Sequence, residues 1–281
     1  MLHSRRMDAT QIPPGADMAL LQESQHNESF DYEGGSPHLR HSRLRGAIVD
    51  RIRGLVLEQF GRRKRVRVLE LGAGHGAFTD HVLATGASVV VSEMSRPSVA
   101  VLETRYANNP LVQVVYDSDG EEIFRRGLEF DVVLCISVLH HIPDYIGAVG
   151  RLIGMTARGG SFASFQDPLW YPRRSRANLL ADRASYFAWR LGRGNLIAGA
   201  ATRLRRLRGS YDESNPADMV EYHVVRQGCD EEALSELLAP HFDDVEMWRY
   251  WSTQSAVLQR LGTRFAAPTT FGLSARGHRL R

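Results

Sequence analysis

The chain has 281 residues, 43% of them hydrophobic, enough to bury the core of one large α/β domain with additions. No apolar stretch approaches the roughly 18 residues of a membrane span, and the N-terminus has no signal-peptide core, so the chain is expected to be cytoplasmic. Its two cysteines, Cys135 inside an apolar run and Cys229 alone, do not indicate a disulfide framework.

The formal net charge of +3 hides an uneven distribution. Between Arg173 and Arg208 ten arginines face one acid, Asp182, and between Arg40 and Arg65 nine basic residues face Asp50 and Glu58. Lys64 is the sole lysine, so the arginine count partly reflects codon bias, which tempers a nucleic-acid reading.

Residues 1–36 read as an N-terminal arm, polar as far as about Asn27 and then aromatic and glycine-rich from Phe30. A helix is predicted from about Pro37 to Phe60, with Leu44, Ile48, Ile52, Leu55 and Phe60 roughly on one face. Val66 to Leu71 has the length and β-branched content of a buried parallel strand. Gly72, Gly74 and Gly76 follow at every second position, and a helical pattern resumes through Phe78, His81, Val82 and Leu83. Strand, glycine turn and helix form the opening unit of a doubly wound sheet, whose ligands bind at the carboxyl ends of the strands. The dinucleotide fingerprint is one residue wider, G-x-G-x-x-G.

Glu70-Leu71-Gly72-Ala73-Gly74-His75-Gly76 resembles the first motif of class I S-adenosylmethionine-dependent methyltransferases, E/D-x-G-x-G-x-G. The resemblance extends over about Arg65 to Gly160. It implies a seven-strand Rossmann-like sheet with helices on both faces, and S-adenosylmethionine as cofactor. Glu70 suits a ligand with a sulfonium and an ammonium group, and Gly72, Ala73, Gly74 and Gly76 would bring backbone close to it. In proteins resembling this one, a segment before the first strand often covers the methionine end, a role for which Tyr32 and His38 are candidates.

The second strand, Ala87 to Met94, ends in Glu93, nineteen residues after Gly74. That is close to the spacing of roughly 20 for an acid that accepts from ribose hydroxyls. Met94 would offer adenine an apolar face. After a third strand, Val112 to Tyr116, Asp117 is the candidate acceptor for the adenine amino group, in preference to Asp119. The fourth strand, Phe130 to Leu139, leads into His140-His141-Ile142-Pro143, again similar to the family. Ile136 and Ser137 would lie under the cofactor, with the histidines facing the transferred methyl. On an extended chain adjacent side chains point opposite ways. His141 is therefore taken as the base and His140 as a loop residue. Asp167, after the fifth strand Ser161 to Phe165, would orient His141 and raise its basicity.

Residues 37–171 thus read as the cofactor-binding core, 172–215 as a basic helical lid inserted after strand five, and 216–281 as the rest of the core. The lid is expected to form two helices, roughly Arg176 to Leu191 and Asn195 to Leu207. Its charge favours an anionic acceptor or peripheral contact with a membrane. A strand near Val245 to Trp248, a preceding helix from Asp230 to Leu238, and Thr270 to Ala275 complete the sheet. His223 is a secondary site candidate. No zinc-ligand spacing is seen, so no metal is expected.

The expected function is methyl transfer from S-adenosylmethionine to a hydroxyl of a small molecule such as a sugar or natural-product intermediate. A lipid or an anionic glycan is an alternative acceptor. A nucleic-acid methyltransferase is a further alternative, though no nucleic-acid partner is expected, because Ser137-Val138-Leu139-His140 stands where a D/N-P-P-aromatic motif would be. A cofactor-binding regulator without catalysis is the alternative from another class.

Overall fold

The computed structural model describes residues 36–192 and 228–279. In chain order they form α1 (Pro37–Arg40), α2 (Ser42–Phe60), β1 (Arg67–Leu71), α3 (Thr79–Leu83), β2 (Ser88–Glu93), α4 (Arg96–Tyr106), β3 (Val112–Tyr116), α5 (Glu122–Arg125), β4 (Phe130–Ile136), α6 (Tyr145–Gly154), β5 (Thr156–Pro168), α7 (Arg176–Gly192), α8 (Glu231–Leu238), β6 (Asp244–Tyr250), α9 (Ala256–Phe265) and β7 (Thr270–Arg276). Short 3₁₀ turns lie at Leu139–His141 and Tyr171–Arg173.

The strands build one seven-stranded sheet in the order β3-β2-β1-β4-β5-β7-β6. β1 to β5 pair in parallel, and β7 inserts antiparallel between β5 and β6. The order reverses between β1 and β4, so the crevice for a ligand opens at the carboxyl ends of these two strands.

Both faces of the sheet are covered. Val68, Val89, Val91, Val132 and Leu134 pack with Ile48, Ile52 and Leu55 of α2 and Leu102 of α4. Their neighbours Leu69, Val90, Val133 and Cys135 pack on the other face with Val149 and Leu152 of α6 and Leu234 of α8. This two-sided burial is why the central strands read as continuous apolar runs rather than alternating ones.

Two boundaries differ notably from the sequence reading. The predicted helix from Pro37 to Phe60 is interrupted at His41, which is extended (φ −95°, ψ 103°) and donates from Nε2 to the Thr253 carbonyl at 2.7 Å. A tertiary contact thus breaks a segment whose apolar pattern is continuous. β5 begins five residues early, at Thr156, because the Phe130 amide pairs with the Met155 carbonyl before a register shift near Gly159-Gly160. Of the lid, α7 is described; the expected helix Asn195 to Leu207 lies outside the described residues, as do Tyr32 and His223.

The basic stretches are not bare. Arg173 pairs with Asp230 (2.5 Å), Glu232 (3.1 Å) and Glu231 (3.3 Å), and Arg174 with Asp182 (2.7 Å). Arg63 pairs with Asp131 at 2.8 Å. Part of the basic charge therefore holds the start of the segment after β5, and the end of α2, to the body. No described helix is long and apolar enough to cross a membrane.

Candidate active site

The sheet's carboxyl edge gathers the sequence candidates that lie in the described residues. The glycine turn after β1 runs through positive φ at Gly72 (67°), Gly74 (56°) and Gly76 (79°). Space as well as φ demands glycine at two of them. A Cβ on Gly72 would lie 2.5 Å from Val138 Cγ2, and one on Gly76 would lie 2.6 Å from the Tyr106 hydroxyl. The turn is thus packed between the loop after β4 and α4, and Ala73 within it is buried.

Glu70 and Glu93 brace this turn from either side. Glu70 is buried and accepts from the Thr79 hydroxyl at 2.6 Å. Burial pushes its carboxyl up to about 7, against the opposing effect of the Thr79 bond. Glu93 accepts from the backbone N–H of Gly74 (2.8 Å), Met94 (2.9 Å) and Ser95 (2.9 Å). Burial raises its pKa also, with those three bonds working the other way. The ends of β1 and β2 are thereby tied through one carboxylate.

Asp117, after β3, is buried and accepts from Glu122 N–H (2.9 Å), Ile123 N–H (3.1 Å) and the Ser92 hydroxyl (3.1 Å). Its first structural job is to cap α5, and a carboxylate with roughly four lone-pair directions keeps room for one more donor. Asp119 instead pairs with Arg125 at 3.0 Å on the surface. Met94 is half-buried, its Cε 3.6 Å from where a Cβ on Gly120 would sit.

The histidine pair requires a correction. Asp167 holds His140, not His141. One carboxylate oxygen accepts from His140 Nδ1 at 2.8 Å and from the His140 backbone N–H at 3.2 Å; the other accepts from the Ser164 hydroxyl at 2.6 Å. Asp167 is fully buried. The expectation failed on its premise of an extended chain, for Leu139–His141 is a 3₁₀ turn and the two imidazoles lie side by side, 4.0 Å between centroids.

The partner of Asp167 was also hidden by a bulge. The β5–β7 register shifts between Phe165 and Asp167, where Gln166 has φ 70°. The shift puts Ser164 and Asp167 on the same side of the strand, against strict alternation. Ser137, at the end of β4, also has a positive φ of 57°, and its N–H donates to the Phe165 carbonyl at 2.7 Å. Two non-glycine residues in the left-handed region, on adjacent strand ends, mark a strained rim.

Gln166 is part of a network that sequence reasoning missed. Its N–H donates to the Tyr250 hydroxyl (2.9 Å) and its side-chain amide to Ser252 (2.8 Å). Nothing in the spacing of these residues announces a contact across more than eighty positions. Ile136 is buried beneath the rim. His38 closes the edge from the N-terminal side, stacked on Phe78 with centroids 5.8 Å apart. It is buried, its Nδ1 has no hydrogen-bond partner, and burial, then the nearby charge of His140, lowers its pKa to about 3. It is a neutral imidazole next to the dyad.

Residues 69–162, which carry the glycine turn, both acids and the histidine pair, match the family model described as a methyltransferase domain. Over this third of the chain the protein is similar to methyltransferases. Among curated relatives of the chain, the ubiquinone biosynthesis O-methyltransferase of Rhizobium etli is 34% identical over 101 residues, which are 33% of this chain and 40% of that one. The enzyme of the same name from Agrobacterium fabrum is 31% identical over 117 residues, covering 39% and 46%. The chain thus spans less than half the length of these relatives.

Two solved structures share the fold at low identity. The N-terminal domain of EvdMO1 with SAH bound has a TM-score of 0.52 at 16% identity, covering 99% of this chain and all of that one. The N-methyltransferase NodS from Bradyrhizobium japonicum WM9, in complex with S-adenosyl-L-homocysteine, has a TM-score of 0.51 at 14% identity, covering 94% and 99%.

Proposed function

We propose that this protein is a methyltransferase that binds S-adenosylmethionine at the carboxyl edge of β1, β2 and β4 and methylates a hydroxyl of a small molecule, with His140 as the base. The observation that carries the reading is the His140–Asp167 pair, buried at the same sheet edge as the Gly72–Gly76 turn. The curated O-methyltransferase relatives support an oxygen acceptor.

The residues fit the cofactor. Positive φ and missing Cβ atoms open the turn's backbone, Glu93 and Asp117 are acceptor-only groups suited to hydroxyl and amino donors, and Glu70 supplies anionic charge under the turn. Met94, Ile136, Ser137 and His38 would complete the walls. When bound, S-adenosylmethionine supplies an electrophilic methyl on sulfur.

Asp167 fixes His140 with its proton on Nδ1, which makes Nε2 the basic nitrogen of the neutral ring. Nε2 would take the proton of an acceptor hydroxyl held beside it, freeing that oxygen to receive the methyl that the bound cofactor would supply. Asp167 then stabilises the imidazolium, itself held by Ser164. Most of the remaining rate comes from positioning the two reactants.

The test has two arms. Calorimetry should show binding of S-adenosylmethionine and its demethylated product, weakened in Glu93→Ala by about 1.5–3 kcal/mol through loss of charged hydrogen bonds. On a hydroxyl acceptor, His140→Ala should lower kcat by roughly 10²–10⁴ with cofactor affinity kept, and His141→Ala should lower it less. The reverse ranking would return the base to His141.

A further inference from the structure

α9 is packed inside out. Its buried positions are Gln259 and Gly262, while Val257, Leu261 and Phe265, one face at i, i+4 and i+8, are 67%, 54% and 82% exposed. An ordinary surface helix buries such a stripe. Here polar and small residues do the docking. Gln259 donates to the Trp251 carbonyl (3.0 Å) and accepts from Thr253 N–H (2.9 Å). Gly262 lets the Trp251 ring lie where a Cβ would stand 2.2 Å from Nε1. The outward face is therefore fixed by specific contacts rather than left over from loose packing.

Charge says what meets it. The helix sequence AVLQRLGTRF has two arginines, Arg260 and Arg264, and no acid, and both arginines are exposed within the turns that carry the stripe. Neighbouring α7 is tied to the segment after α9 by Asn178 Nδ2 donating to the Ala267 carbonyl at 2.9 Å. It adds exposed Leu180 and Phe187, seven residues apart, with Arg176 and Arg183. Large apolar side chains interleaved with arginines on a helix match the boundary between anionic headgroups and acyl chains.

Position completes the argument. β6 runs parallel to β5, so α9 follows the carboxyl end of β6, the edge that holds the active site. The loop between them carries Ser252, bonded to Gln166, and Thr253, bonded to His41. We propose that the α9 edge, with the outer face of α7, docks on an anionic lipid bilayer and turns the active-site rim towards it. Resting on the methyl-transfer reading above, this makes the acceptor an amphipathic molecule that reaches His140 from the membrane surface.

The test is co-sedimentation of the full chain with vesicles of phosphatidylcholine alone and of phosphatidylcholine with phosphatidylglycerol. Binding is expected only with phosphatidylglycerol and should fall with salt. Leu261→Ser with Phe265→Ser should lower it at least about tenfold, and Arg260→Gln with Arg264→Gln by on the order of 30-fold. Both pairs are exposed, and unchanged calorimetric binding of S-adenosylmethionine would report an intact fold. No binding by the wild-type chain, or binding indifferent to the stripe, would overturn the proposal. A dimer in light scattering that dissociates in the Leu261→Ser, Phe265→Ser variant, without vesicle binding, would overturn it in favour of a second copy. Vesicle binding without S-adenosylmethionine binding would leave the surface standing and remove only the methyl-transfer reading.

Discussion

At the scale of single residues, Glu70 shows how the site stores an unfavourable charge. Its carboxyl titrates near 7 in the folded chain because burial outweighs the Thr79 hydroxyl bond. Below about 4.5 both folded and unfolded chains hold this proton. As pH rises towards 7, the unfolded chain releases it and the folded chain keeps it, so stability falls across that window. The shift corresponds to roughly 3 kcal/mol. Glu70→Gln keeps an acceptor for Thr79 and removes the charge. Its Tm at pH 8 should exceed that of the ligand-free wild type, and its stability should lack this fall between pH 5 and 7. Equal pH profiles in thermal melts would show that Glu70 is ionised without cost. A cationic ligand beside the carboxylate would offset the same penalty, so wild type should release a proton on binding S-adenosylmethionine near pH 6.5, and Glu70→Gln should not.

Element by element, the site depends on how strand ends are terminated. β1 ends in a turn that Val138, from the loop after β4, packs against so closely that no side chain fits at Gly72. Gly72→Ala meets both a positive φ and this contact, and should cost about 2–4 kcal/mol in urea unfolding. Adding Val138→Ala should recover part of that loss, because it removes the clash and leaves the φ strain. Strict additivity of the two costs would mean the turn moves away instead. β5 ends in the Gln166 bulge, and this one irregularity puts Asp167 beside Ser164 and under the histidine turn. α2 begins where His41 bonds to the loop after β6, which closes the edge beside His38.

Across the whole molecule, the segment that leads from β5 into α7 is anchored by charge at its base. Glu231, almost fully buried, is shared by Arg173 (3.3 Å) and Arg249 (3.2 Å), and Arg173 also reaches Asp230 and Glu232. A shared, partly desolvated cluster resists salt better than isolated surface pairs do. Arg173→Ala should destabilise the protein by about 1–2 kcal/mol, since it leaves the buried Glu231 with one arginine. Hydrogen exchange should rise first at Tyr171 to Asp182; a uniform rise would mean the cluster belongs to the global core instead.

The sequence by itself determined the class of the fold and the sheet edge at which the candidate residues gather. Apolar runs buried on both faces, glycines at every second position after Glu70 and an acid nineteen residues past Gly74 are local patterns, written within one strand–turn–helix unit or one spacing. What it could not determine were pairings between distant segments. The pairing of Asp167 with His140 rather than His141 depended on a 3₁₀ turn and a bulge in a different strand, each adding a local rotation that no periodicity records. The break at His41 depended on a carbonyl 212 residues away. The outward stripe of α9 depended on Gln259 and Gly262 finding backbone and ring partners that outweighed burial of Leu261 and Phe265. Periodicity reports which face of an element is apolar, whereas only tertiary packing decides which face is covered.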